Sequence, residues 1–156
     1  MDMVDFLEFK SSDEYIFLYF WSKSCPSCHA NMPHLQKLRD EYGPKGLEVI
    51  SVHRPMGEFD LDEAKVLEVA KELGITEKLI FDNDHSIGDE LKVDAWPTYF
   101  LFDKDGKVRR HAKGQFGVKM IEQALIRLFD GEGNADEARE KEKSPEAVTE
   151  SFPLSF

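Results

Sequence analysis

The sequence predicts an α/β fold, helices packed around a mixed β-sheet, and three observations carry that expectation. The run YIFLYFW at 15–21 has no polar alternation, and LEVISVH at 47–53 is rich in β-branched residues, so both read as buried strands. Between them Cys28, Met32, Leu35, Leu38 and Tyr42 recur at steps of three or four, the helical period. Near the end of the folded region, the turn sequence Asp103-Lys104-Asp105-Gly106 separates two further strand-like runs and predicts an antiparallel hairpin.

Taken in order, residues 1–14 are weakly patterned, with one helical turn expected around Phe6 and Phe9. The strand at 15–21 leads through Ser22-Lys23-Ser24 into Cys25-Pro26-Ser27-Cys28 and a helix from Pro26. Pro26 suits a first turn because its missing N–H would go unpaired there. Pro33 should kink the same helix, and Gly43-Pro44 should stop it. A helix crossover makes the strands at 15–21 and 47–53 parallel, with a right-handed connection. Arg54-Pro55-Met56-Gly57 opens a polar loop, followed by a helix at 62–73 closed by Gly74 and a short strand at 79–81. One more short helix is expected within DNDHSIGDELKV. Trp96-Pro97-Thr98 then opens a strand at 99–102, paired with 107–112, and a last helix at 117–129 puts Val118, Ile121, Leu125 and Leu128 on one face.

Residues 1–130 thus read as one domain, within the range of a chain of 156 residues. Residues 131–156 change character: they are charged and nearly free of apolar side chains until Phe152-Pro153-Leu154-Ser155-Phe156, the composition of a disordered tail. A net charge of −11 argues against nucleic acid and anionic membranes as partners. No segment is long enough to span a bilayer, and the acidic N-terminus lacks the features of a secretory signal, so the expected location is cytoplasmic. With two cysteines in all, no structural disulfide framework is possible.

A Cys-x-x-Cys pair at a strand-to-helix junction is the layout of a dithiol redox site. Cys25 precedes the first turn, where unpaired N–H groups and the helix dipole favour a thiolate, so it should attack. Cys28 lies on the next turn facing inward, so it should resolve. Ser27 and Lys23 can supply a hydrogen bond and a positive charge near the Cys25 sulfur. Cys25-Pro26-Ser27-Cys28-His29 also fits c-type haem attachment, but that chemistry belongs to exported proteins. For zinc, one Cys-x-x-Cys provides two ligands, and His29, His34, His53, His85 and His111 form no second spaced pair. A peroxidatic role for Cys25 is hinted at by Ser22, but Leu18 stands where that signature has proline.

FWSKSCPSCHANMP, VDAWPTYFLFDKDGKV and the following Gly114 resemble the thioredoxin-fold TlpA/ResA-like thiol–disulfide oxidoreductases, over about residues 15–129. The helix and strand within 62–81 are similar to the insertion of that family. VHRP and Trp96-Pro97 are similar to its DipZ-like and YkuV-like branch. The resemblance implies a thioredoxin fold, Cys25 as nucleophile, Cys28 as resolving thiol and Pro97 as a cis-proline facing the dithiol, with Pro33 as the helix proline. It implies a protein disulfide reductase acting as a monomer on disulfide-containing proteins and recharged by an upstream dithiol reductant. No metal, flavin or nucleotide cofactor is expected. A redox-switched binding module is the alternative from another class.

The departures are specific. Where thioredoxins carry a buried Asp this chain has Tyr19; Asn31 replaces the Glu of cytochrome-maturation members, and Ser24 the Trp before the first cysteine. With that carboxylate gone, His53, at the end of its strand, is the candidate proton relay for Cys28. Trp21 and Trp96 are expected to wall the site.

Overall fold

The sheet grows outward from the most apolar run in the chain. In the computed structural model, which describes residues 14–130, Tyr15–Trp21 forms the central strand β1. The expected turn near Phe6 and Phe9 and the acidic tail lie outside the described residues. On one side β1 pairs in parallel with β2 (Leu47–His53), which pairs in parallel with β3 (Lys78–Phe81). On the other it pairs antiparallel with β4 (Thr98–Phe102), which continues into antiparallel β5 (Val108–Lys113). The order is β3-β2-β1-β4-β5, a mixed five-stranded sheet. Helix α1 (Pro26–Tyr42) makes the β1-to-β2 crossover, and α2 (Glu63–Glu72) the crossover to β3. The short α3 (Ser86–Glu90) precedes β4, and α4 (Gly117–Leu125) follows β5.

Both faces of β1 are covered, which explains its unbroken apolar run. Phe17, Tyr19 and Trp21 point into a core shared with Cys28, Met32, Leu35 and Leu38 of α1, Val66 and Ala70 of α2, and Val118, Ile121 and Leu125 of α4. Ile16, Leu18 and Phe20 point to the opposite face, under Ile87 of α3 and Val93. Alternation along a pleated strand sends successive side chains to opposite layers, so a strand between two layers must be apolar throughout. All seven residues of β1 are therefore committed to packing, and the chemistry begins just beyond its end.

Helix α1 stops at Gly43-Pro44 as expected, whereas α4 ends before its apolar pattern does. Gly43 stays right-handed, and α1 tightens into a 3-10 turn, Gly43–Lys45; the left-handed residue is Gly46 at φ 112°. Gly46 donates its N–H to the Gly43 carbonyl at 3.1 Å, so Pro44 sits inside that turn. Helix α4 ends at Leu125 and widens into a π turn, Ile126–Asp130. That turn seats Phe129 against Tyr15 and Tyr42, with ring centroids 5.6 and 5.5 Å apart. Pro33 lies inside α1, which runs on past it to Tyr42.

Candidate active site

Sheet polarity gathers the candidate residues at one edge. The parallel strands β1 and β2 both end there, at Trp21 and His53, which are register partners. Antiparallel β4 begins there, because Thr98 pairs with Phe20, and this puts Pro97 level with the end of β1. Such an edge, outside the carboxyl ends of parallel strands, is where α/β folds build sites.

Cys25 is the N-cap of α1, with extended backbone at φ −97° and ψ 109°, and Pro26 opens the first turn. The Cys25 Sγ accepts the Cys28 N–H at 3.1 Å, a first-turn donor that it shares with the Cys25 carbonyl at the same distance. Cys25 and Cys28 form a disulfide, their Cα atoms 5.3 Å apart. The expected contrast between an open Cys25 and an inward Cys28 is narrow: their exposures are 3% and 1%. Pro26 is exposed and Ser27 half-buried, so the accessible side of the disulfide is the first helical turn.

The Trp96–Pro97 peptide bond is cis, and the Pro97 carbonyl accepts the N–H of Gly114 at 2.9 Å. Gly114 has φ 89°, the left-handed region that glycine adopts without a Cβ clash. Trp96 donates its indole N–H to the Arg54 carbonyl at 2.8 Å and lies under the Arg54 guanidinium, 5.8 Å from its ring centroid. Arg54 in turn is buried and paired with Asp82 and Asp89 at 3.2 and 3.1 Å. VHRP therefore serves the segment before Pro97, through a buried cation that grips α3 and the Trp96 indole together.

Two expected roles are revised. Trp21 is fully buried in the core that holds the cysteines and meets His53 edge-on at 4.9 Å, so it is a floor rather than a wall. His53 is also fully buried, and its Nε2 accepts the Lys23 backbone N–H at 3.0 Å. Burial lowers its pKa to about 4, opposed by the nearby Asp60 carboxylate and assisted by Lys23. A neutral imidazole whose acceptor nitrogen is already engaged, and which is far less basic than a thiolate, has no geometric support as the Cys28 relay. It anchors the loop instead. The Lys23 ammonium lies 3.6 Å from Asp60, so its charge is paired within the loop.

Two carboxylates stand out that the sequence pattern did not mark. Asp60, in the short 3-10 turn Glu58–Asp60, is fully buried and accepts hydrogen bonds from the Ser22 and Ser24 hydroxyls and the Met56 N–H. Burial alone would push its pKa up, but those hydrogen bonds hold it below the usual carboxylate range. Glu77 lies just before β3, at the end of the segment after α2, and reaches Tyr19 of β1. It accepts a hydrogen bond from the Tyr19 hydroxyl and pairs with Arg39 at 2.9 Å. Burial first, and then the Glu77 charge, keep Tyr19 well above its ordinary pKa. At the position of Asn31, the side-chain amide donates to the Tyr99 hydroxyl at 3.2 Å and the Gln115 carbonyl at 2.8 Å, tying α1 to the loop before α4.

Residues 3–111 match the model of the AhpC/TSA family. The chain belongs to that family. Among its relatives, the thiol–disulfide oxidoreductase YkuV of Bacillus subtilis is 39% identical over 112 residues, 72% of this chain and 75% of the relative. The thiol–disulfide oxidoreductase ResA of Geobacillus thermodenitrificans is 32% identical over 110 residues, 70% of this chain and 60% of the relative. A solved thioredoxin-like protein in the oxidised form superposes with a TM-score of 0.69 at 36% identity, covering 76% of this chain and 79% of its own. This AhpC/TSA member has the thioredoxin-like fold, with the five-stranded mixed sheet described above. No helix among the described residues is long and apolar enough to cross a membrane.

Proposed function

We propose that this thiol–disulfide oxidoreductase reduces disulfides in protein substrates, with Cys25 attacking and Cys28 resolving. The observation that carries the assignment is the Cys28 N–H on the Cys25 Sγ at 3.1 Å, at the N-cap of α1. That donor and the positive end of the helix favour a thiolate at position 25, with a pKa drawn below the free-cysteine value of about 8.5. Cys28 has no equivalent place, since it lies inside the helix.

In the forward direction the Cys25 thiolate attacks one substrate sulfur, and the other substrate sulfur leaves as a thiolate. Cys28, as its thiolate, then attacks the Cys25 Sγ, releasing the second substrate thiolate and closing the Cys25–Cys28 bond. Two electrons pass to the substrate, and a dithiol reductant returns them by the reverse exchange. Pro97 has no N–H to offer, so an extended substrate strand would pair with the backbone of Trp96, held by Arg54. Pro26 and Ser27 form the approach to the disulfide, with Trp21 and His53 beneath. A cytoplasmic monomer suits this role, since both cysteines belong to the site and none is left for a structural bridge. With dithiothreitol as donor, the protein should accelerate insulin disulfide reduction, and Cys25→Ser should abolish that acceleration. A wild-type rate equal to dithiothreitol alone overturns the proposal.

A further inference from the structure

The loop that delivers Cys25 is held almost entirely by groups outside it. Residues 22–24 leave β1 with their polar groups facing inward, and each finds a partner. The Lys23 N–H goes to His53, the Lys23 carbonyl meets a ring nitrogen of His29 at 2.8 Å, and the Ser22 carbonyl accepts the Cys25 N–H at 3.1 Å. The two serine hydroxyls both end on Asp60, and the Ser22 hydroxyl also accepts the Ser24 N–H at 3.1 Å. Asp60 is itself kept in place by the Met56 N–H at 2.9 Å. One fully buried carboxylate thus collects three of the side chains that immediately precede the attacking cysteine.

Building a buried carboxylate into the loop that leads to an attacking thiol is at first sight counterproductive, since a nearby negative charge opposes a thiolate. Lys23 resolves this. Its ammonium, 3.6 Å from Asp60, is the cation of the loop, and neutral His53 adds no formal charge. Removing either member of the pair would leave a net unit charge of known sign beside Cys25.

We propose that Asp60 is a positioning residue for Cys25: it ties Ser22, Lys23 and Ser24 into the loop that presents the thiol, and by pairing with Lys23 it keeps the net charge beside that thiol near zero. The proposal rests on the assignment of Cys25 as the attacking thiol. Its consequence is a dithiol tuned toward the reducing side. Unopposed, Lys23 would stabilise the thiolate and hence the reduced form, which makes a disulfide a stronger oxidant. With Asp60 present, that gain is withheld.

The test is the pH dependence of Cys25 alkylation in the reduced full-length protein, for wild type, Asp60→Asn, Lys23→Gln and the double variant. A unit charge about 10 Å away at an effective dielectric near 20 moves a midpoint by about one pH unit. Asp60→Asn should lower the midpoint by about that much, Lys23→Gln should raise it, and the double variant should return close to wild type. Asp60→Asn should also move the equilibrium with glutathione about tenfold toward the reduced dithiol. Shifts of the same sign in both single variants, or no shift in either, overturn the proposal. Should Asp60→Asn not fold, Lys23→Gln decides alone: a raised midpoint supports the proposal and an unchanged one overturns it. A wild-type midpoint in the ordinary thiol range would instead refute the role of Cys25 itself.

Discussion

Replacing His53 with glutamine should flatten the acid side of the stability profile. His53 is fully buried, and burial lowers its pKa from 6.5 to about 4. Between those values the unfolded chain binds the proton and the folded protein does not. The stabilisation from neutral His53 is therefore complete above pH 6.5 and is lost as the pH falls toward 4. Over the whole interval it amounts to about 3 kcal/mol, and by pH 4.5 about 2.5 kcal/mol of it has gone. Glutamine keeps an acceptor for the Lys23 N–H and cannot titrate. The assay is urea unfolding of both proteins at pH 7.5 and pH 4.5, taking the difference between the two pH values for each. Carboxylates and histidines that do not interact with His53 contribute equally to both and cancel. Wild type should lose about 2 to 3 kcal/mol more than His53→Gln over this range. Equal losses would show that the imidazole is hydrated or charged, contradicting its assigned place under the loop.

Further substitutions probe other parts of the account. Gly88→Ala would place a Cβ on the Arg54 guanidinium and force it off Asp82 and Asp89; the expected loss is about 3 kcal/mol in urea unfolding, as for other broken buried ion pairs. Tyr19→Phe leaves one Glu77 oxygen without its donor in a buried setting and should cost about 1 to 3 kcal/mol, read the same way. Asn31→Ala removes the amide that joins α1 to the Gln115 carbonyl and should cost about 1 kcal/mol with the disulfide still able to form. Losses within 0.5 kcal/mol for these three, the range of ordinary surface changes, would contradict the contacts described.

The strands and the dithiol were legible because their signals are local. A strand covered on both faces must be apolar at every position, so Tyr15–Trp21 declares itself, and Cys25 to Cys28 carries its own spacing. What could not be read depends on where distant segments meet. Asp60 sits among Glu58, Phe59 and Asp62 in a stretch that looks like any solvated loop; only the approach of Ser22 and Ser24 buries it. Glu77 is similarly unmarked until Tyr19 and Arg39 close on it. His53 was correctly placed at the sheet edge by its strand, but sequence cannot show that the Lys23 N–H occupies its acceptor nitrogen.

The division of labour between the two sulfurs is best examined by trapping. Cys28→Ser and Cys25→Ser proteins, each offered a disulfide-bonded protein substrate, are resolved by non-reducing electrophoresis and peptide mass spectrometry. Cys28→Ser should accumulate a covalent adduct through Cys25, and Cys25→Ser should accumulate none. An adduct carried by Cys28 in the Cys25→Ser protein, with none through Cys25 in its counterpart, would reverse the assignment.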